Sequence, residues 1–409
     1  MVPSGTDHRI TPPTSDAAGD WAAMSDPDPT PTSFRDEFKD AVTPRAVFLV
    51  IGVAVIQVAF ITSYVGAFHH PEPHGLPISV VAPAADAPQL VKALNGIPGH
   101  PVEVTAAPSV AAGTRQLLRR DVFGVLVVDP TAADEQLLEA SASGVSASVA
   151  VTDVLDAVAA RYHRTVVVHD IRPPTPGDRN GLTSFYLVIG WIVGGYLVAS
   201  ILGISTGSRP ANARRATLRL GAIAVYALVT GLVGAIVVGP ILHALPGPTI
   251  QLGLLGALVI FCAGAFAMAL LVVAGTIGIG LAIIVFVVLG NPSAGGPYAW
   301  QLLPPFWRDI GPWLPSGAGT AAARGIAYFG STAITSNLLV IAAYGVVGVG
   351  VVYLVLLDVG HQLIDLPRMA RREDGRAEVG GRDGDGDGDG DNADAGAGDD
   401  ADAGAGATG

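Results

Sequence analysis

Few residues in this chain have the types and spacing that chemistry needs. His69, His70 and His74 stand close together, but Pro71, Pro73 and Gly75 deny them a helical register. No cysteine or paired carboxylate accompanies them, so the ligand count and geometry of a metal site are missing. Cys262, the single cysteine, lies in an apolar run; it excludes an intrachain disulfide or a thiolate cluster and reads as a small hydrophobe. No G-x-S-x-G elbow or paired nucleophile and base is present, and no G-x-x-x-x-G-K-[ST] loop that would bind and hydrolyse ATP. The run Asp383 to Asp391 imitates the start of a calcium loop, but its twelfth position is Asp394 rather than glutamate and no helices flank it. The expectation is a chain without catalytic residues, cofactor, metal or nucleic acid.

Two groups of residues remain. Arg209, Arg214, Arg215 and Arg219 form the densest positive cluster beside any apolar run, on an alanine-rich segment with helical tendency. They would either dock a partner or hold a loop inside the cell and meet anionic headgroups. The second group is the stretch from Asn291 to Gly330, with Trp300, Trp307, Trp313, Tyr298, Phe306 and Arg324 among six prolines. Such rings sit half in hydrocarbon with an N–H or O–H in water, and the prolines forbid a continuous span. Short amphipathic pieces entering one leaflet edge are expected, or else an aromatic-belted loop; irregular backbone there needs cover from protein or water.

The elements that must position these groups are apolar helices. Half of the 409 residues are hydrophobic and only 14% are charged, with a mean hydropathy of +0.50, the profile of a multi-pass membrane protein. The net charge of −12 says little about the folded part, since the tail from Asp383 to Asp402 supplies nine of the acids. The expected fold is a mostly α-helical polytopic membrane protein with six transmembrane helices and an extracytoplasmic α/β domain between the first two. Spans are placed at 46–68, 183–203, 220–242, 250–274, 276–290 and 336–358. The fourth and fifth come from one 41-residue uncharged stretch, Ile250 to Gly290, which at about 60 Å is too long for one crossing and must turn near Gly275. Residues 1–32 and 370–409 read as disordered tails, 33–45 as an amphipathic interfacial helix, 204–219 as a cytoplasmic loop and 291–335 as the aromatic loop. Arginines near the first and last spans place both termini in the cytoplasm of a plasma-membrane protein.

Within 69–182, short β-branched runs alternate with helical patterns: strands at Ile78 to Ala82, Val102 to Ala106, Val122 to Asp129, Ser146 to Val151 and Thr165 to Asp170, and helices at Ala87 to Asn95, Ala111 to Arg120 and Thr152 to Tyr162. The domain leaves through HDIRPPTPGDRNG, a proline-stiffened strap with a Gly177-Asp178 turn. No Asp, Glu, Lys or Arg lies in the interior of any expected span, which disfavours ion-coupled transport.

The strap, followed by NPSAGG, QLLPPFW, WLPSG and ARGIAYF in that order, resembles the phage infection protein family, itself related to the membrane subunits of type 2 ABC exporters. The resemblance covers roughly Val47 to Asp358. It implies a permease-like subunit, a homodimer or heterodimer in the bilayer, driven by an ATPase in trans that docks on the loop carrying the four arginines. It equally implies the alternative of a non-transporting envelope protein, a phage receptor or a secretion-apparatus scaffold.

Overall fold

The computed structural model describes residues 42–380, together with Phe34 and Phe38, with side chains up to Leu357 other than that of Arg45. The expected tails at 1–32 and 381–409 lie outside the described residues, as does most of the interfacial helix. Phe34 and Phe38 are helical and their rings meet at 6.4 Å, as four-residue spacing requires.

Among the described residues, five helices are long and apolar enough to cross a membrane. They are α1 (Pro44–Phe68), α5 (Thr183–Thr206), α6 (Ala213–Ile236, continued by a π turn Val237–Ile241), α7 (Thr249–Ala274) and α11 (Thr335–Gly380). A shorter apolar helix, α8 (Ile277–Ile283), widens into a π turn at Ile284–Leu289. α11 continues to Gly380, so residues 370–380 are helical where a disordered tail was expected. Alanine and arginine there extend an already nucleated helix at one hydrogen bond per residue.

α7 is the axis of the bundle. In its most apolar window 61% of the residues are buried, against 6% for α1, and it packs on α5, α6 and α11. Hydrophobicity cannot select partners among helices already in lipid, so close approach does. A Cβ on Gly195 would lie 2.5 Å from the Ile260 carbonyl of α7, and one on Gly348 would lie 2.5 Å from the Ala265 carbonyl carbon. Other glycines of the same helices play no such part: Gly190 and Gly350 meet nothing within 4 Å. α1 begins on a Thr43 cap and a proline, and stands at the rim against Ile284–Leu289, where the Ser63 hydroxyl bonds the Val288 carbonyl.

Between α1 and α5 lies a five-stranded sheet in the order β2-β1-β3-β4-β5. The strands are β1 (Leu76–Val81), β2 (Val102–Ala106), β3 (Gly124–Val127), β4 (Asp134–Glu139) and β5 (Thr165–Asp170). β1 runs parallel to β2 and β3, β4 is antiparallel to β3, and β5 is parallel to β4. Ile78, Val80, Leu126 and Leu137 share one face with α2 (Ala87–Asn95) and α4 (Val145–Ala160). Ser79 and Val125 point the other way onto α3 (Val110–Leu118), where Gly113 leaves room for Val125. Successive crossovers therefore lie on opposite faces, as right-handed connections from a central strand require.

The expected strand at Ser146 to Val151 is instead the first part of α4. Ala147, Ser148, Val151, Leu155 and Ala159 are its buried residues, a spacing of three to four that outweighs the short alternation. The sheet takes β4 in its place, whose Asp134, Glu135 and Gln136 hide a strand behind polar residues.

Glu139, at the end of β4, is 4% exposed and accepts a 2.9 Å hydrogen bond from the Thr152 hydroxyl. Burial pushes its carboxyl up to about 7. A folded-state value above the unfolded one means extra stability at pH below the ordinary carboxylate range, lost as pH rises through about 7. The thermal midpoint of the detergent-solubilised wild type should therefore fall more steeply between pH 5 and pH 8 than that of Glu139→Gln. Parallel curves for the two proteins would show that this carboxyl does not titrate as its burial requires.

Candidate functional site

The loop expected over 204–219 contracts to residues 207–212, because Asn212 caps α6 with its side-chain oxygen on the Arg215 N–H at 2.9 Å. No separate helix forms between α5 and α6. The four arginines divide into two pairs. Arg209 donates from Nε to the Val272 carbonyl at 2.9 Å and so closes the end of α7. Arg219 donates to the Gly207 and Thr206 carbonyls at 2.8 Å and closes α5. Both satisfy orphan carbonyls at the negative end of a helix dipole. Arg214 and Arg215 are exposed on the first turn of α6 and close no helix end.

The aromatic stretch is more deeply embedded than its composition suggests. After a 3-10 turn at Trp300–Leu302 come α9 (Pro305–Ile310), a second turn at Gly311–Trp313, and α10 (Pro315–Tyr328). Trp313 is exposed and Trp307 half-buried in an apolar groove beside α1, positions suited to interfacial rings. Trp300 is instead an internal strut: its Nε1 donates to the Ser293 carbonyl at 2.8 Å, and Gly295 and Gly311 have no room for a side chain beside it. α10, at 14 residues, spans about 21 Å and is too short to cross a bilayer. Almost every residue on it is buried, because it lies across the sheet-bearing end of the bundle against α5, α7, α11 and the Ser141–Ser143 turn.

α10 carries the site. Arg324 is 8% exposed, and its guanidinium donates to the Gly295 carbonyl at 2.8 Å, the Gly181 carbonyl at 3.1 Å and the Gly296 carbonyl at 3.3 Å. Tyr328, one turn further on the same face, donates its O–H to Asp178 Oδ2 at 2.8 Å. Asp178 Oδ1 accepts from the Thr183 N–H at 2.8 Å, placing a carboxylate at the N-terminus of α5. Burial lowers the Arg324 pKa to about 10 while the Asp178 charge opposes the shift, so the cation persists at neutral pH. Burial also raises the Tyr328 phenol to about 12, which keeps it a donor.

These contacts give the strap motif a physical meaning. A Cβ on Gly177 would lie 2.9 Å from the His243 carbonyl, Asp178 caps α5, and Gly181 takes φ +64° and offers its carbonyl to Arg324. From the sheet side, Arg120 follows α3 with φ +62°, a left-handed conformation that costs a non-glycine residue about 1–2 kcal/mol. It donates to the Ala321 carbonyl at 2.7 Å and the Thr332 carbonyl at 3.3 Å, and lies 5.6 Å from the Phe329 ring centroid. Arg120 and Tyr328 escaped sequence reasoning because their partners are 201 and 150 residues away. The one available signal was the Gly-Asp turn. His69, His70 and His74 do not converge: among the described residues no group of three or more His, Cys, Asp or Glu could hold a metal ion.

Comparison of the chain with family models, with curated proteins and with solved structures gives no match.

Losing one partner from a buried hydrogen bond strands the other, at about 1–3 kcal/mol. Asp178→Asn and Tyr328→Phe should each lower the thermal midpoint in detergent. The double variant should be less destabilised than the sum of the two, with a coupling of about 1 kcal/mol or more. Additive losses would show that the 2.8 Å contact contributes nothing to stability.

Proposed function

We propose that this chain is a permease-like subunit of an ABC-type exporter that moves an amphiphilic or hydrophobic substrate outward. In this reading it crosses the cytoplasmic membrane six times with both termini inside, pairs with a second subunit, and draws energy from an ATPase in trans. The observation that carries the reading is the path of α8. It starts folded back on the last turns of α7, where Gly278 meets Leu270, close to where Arg209 closes that helix. It finishes beside Ser63, near the sheet-bearing end of α1. Thirteen residues from Ile277 to Leu289 make about 20 Å, short of the ~30 Å hydrocarbon core, so the crossing would be completed by the protein-covered segment that follows. Irregular backbone at that depth is tolerated because α10 and its neighbours shield it from lipid. The absence of Asp, Glu, Lys and Arg from the interior of the expected spans agrees with energy supplied from outside the chain. Arg214 and Arg215 would be the ATPase contact.

A second reading, a non-transporting envelope receptor or scaffold, is favoured by one specific observation. Arg120 and Arg324 fasten the α/β domain and its exit strap to the bundle, which suits rigid display of that domain.

Two experiments separate these possibilities. In a Cys262→Ala background, Thr276→Cys should be protected from an impermeant thiol reagent in intact cells and Thr332→Cys should be labelled. Equal labelling of the two would remove the short crossing and with it the six-span path. Cross-linking in cells should recover an ATPase with the wild type but not with Arg214→Glu/Arg215→Glu, while Lys at both positions keeps topology and docks poorly. Recovery of no ATPase with the wild type would replace the permease reading with the envelope one.

A further inference from the structure

Where the α/β domain meets the first turn of α11, a cavity of about 350 Å³ carries more positive charge than the surrounding protein neutralises. Its wall includes Arg119, Arg120 and Arg324, against Asp121 as its one acid. Asp121 is held by Arg119 at 3.3 Å in a solvent-exposed pair. Asp178, beyond the wall, is engaged by Tyr328 and the α5 N-terminus. Arg120 and Arg324 thus contribute to the wall with carbonyl partners but without an acid in hydrogen-bonded contact, which leaves the cavity wall net positive.

Two polar atoms among the residues of this wall are buried with no hydrogen-bond partner, Arg120 Nε and Ser143 Oγ. Both carry a hydrogen to donate; the guanidinium has no capacity to accept. Gln301 adds an amide to the same wall. A wall with one buried and one half-buried guanidinium, and two donors left unpaired behind it, suits a negatively charged ligand rich in acceptor oxygens.

We propose that this cavity binds a phosphate group, either the phosphate of a lipid headgroup or inorganic phosphate. The planar guanidinium fork matches phosphate oxygens, and the volume falls in the range of small-molecule sites, with room for an ester substituent. The cavity lies at the N-terminal end of α11, where Ser336 of its first turn contributes to the wall. The dipole of a long helix favours an anion at that end, and an apolar helix starts at headgroup height. The assignment holds whether or not the chain transports.

The test uses the full-length protein, delipidated in mild detergent. Thermal unfolding is followed against inorganic phosphate at constant ionic strength, and separately against mixed micelles of phosphatidylglycerol or of diacylglycerol. Ligand bound to the folded state alone raises the midpoint in a concentration-dependent way. Phosphate or phosphatidylglycerol should do so, and chloride and diacylglycerol should not. A response to phosphate alone assigns the site to the free ion, and a response confined to phosphatidylglycerol assigns it to a headgroup. Gln301→Glu, which adds a negative charge to the wall without changing shape, should weaken the response about tenfold or more. Ser143→Ala, which removes one orphan donor with little risk to folding, should weaken it a few-fold. No response to either phosphate-bearing ligand overturns the proposal, as does a response that both substitutions leave unchanged.

Discussion

A buried cation on a short helix is the constraint on which the rest of this structure depends. Arg324 lies on α10 with almost no access to water, and burying its charge would be prohibitive without compensation. The compensation comes from the strap at Gly181 and from the glycine-rich turn at Gly295 and Gly296. Each carbonyl has to be brought to the guanidinium by a backbone free of side-chain obstruction, and Gly181 and Gly295 both take positive φ. The strap's Asp178 then fixes the start of α5 and Tyr328 at once. One charged side chain therefore sets the positions of α10, of the domain exit and of the second long apolar helix.

The α/β domain is consequently not a separate bead on the membrane. Leu117, Val122, Val125 and Ala140 belong to the same apolar cluster as the bundle, while Ala299 and Leu302 from the aromatic stretch belong to the domain's own core. Arg120 holds a left-handed backbone to reach α10, a cost that its two carbonyl contacts and the Phe329 ring offset. At the opposite end of the bundle, arginine serves a simpler purpose, as Arg209 and Arg219 close helix ends. Arg214 and Arg215, by contrast, make no such contact across helix ends and stay exposed at the start of α6.

Composition and periodicity determined the number of long apolar helices other than the short α8, most of the sheet, and the absence of Asp, Glu, Lys and Arg from the interior of the expected spans. Those properties are local: the length and apolar composition of a helix can be read whatever it touches, and β-branched alternation needs no distant partner to be recognised. Where local signals were mixed they failed, as at Ser146 to Val151, whose alternation also fits one buried helical face, and at β4, whose acids and glutamine conceal a strand between β3 and β5. The site divides in the same way. The Gly177-Asp178 turn and Arg324 stood out by residue type and place. That Trp300 is a strut, that Arg209 and Arg219 are helix caps, and that Arg120, Asp178, Arg324 and Tyr328 act together was decided only by the tertiary structure. A hydrogen bond between residues 150 or 201 positions apart leaves no periodicity in a single sequence, since its energy depends on burial that exists only once the chain has folded.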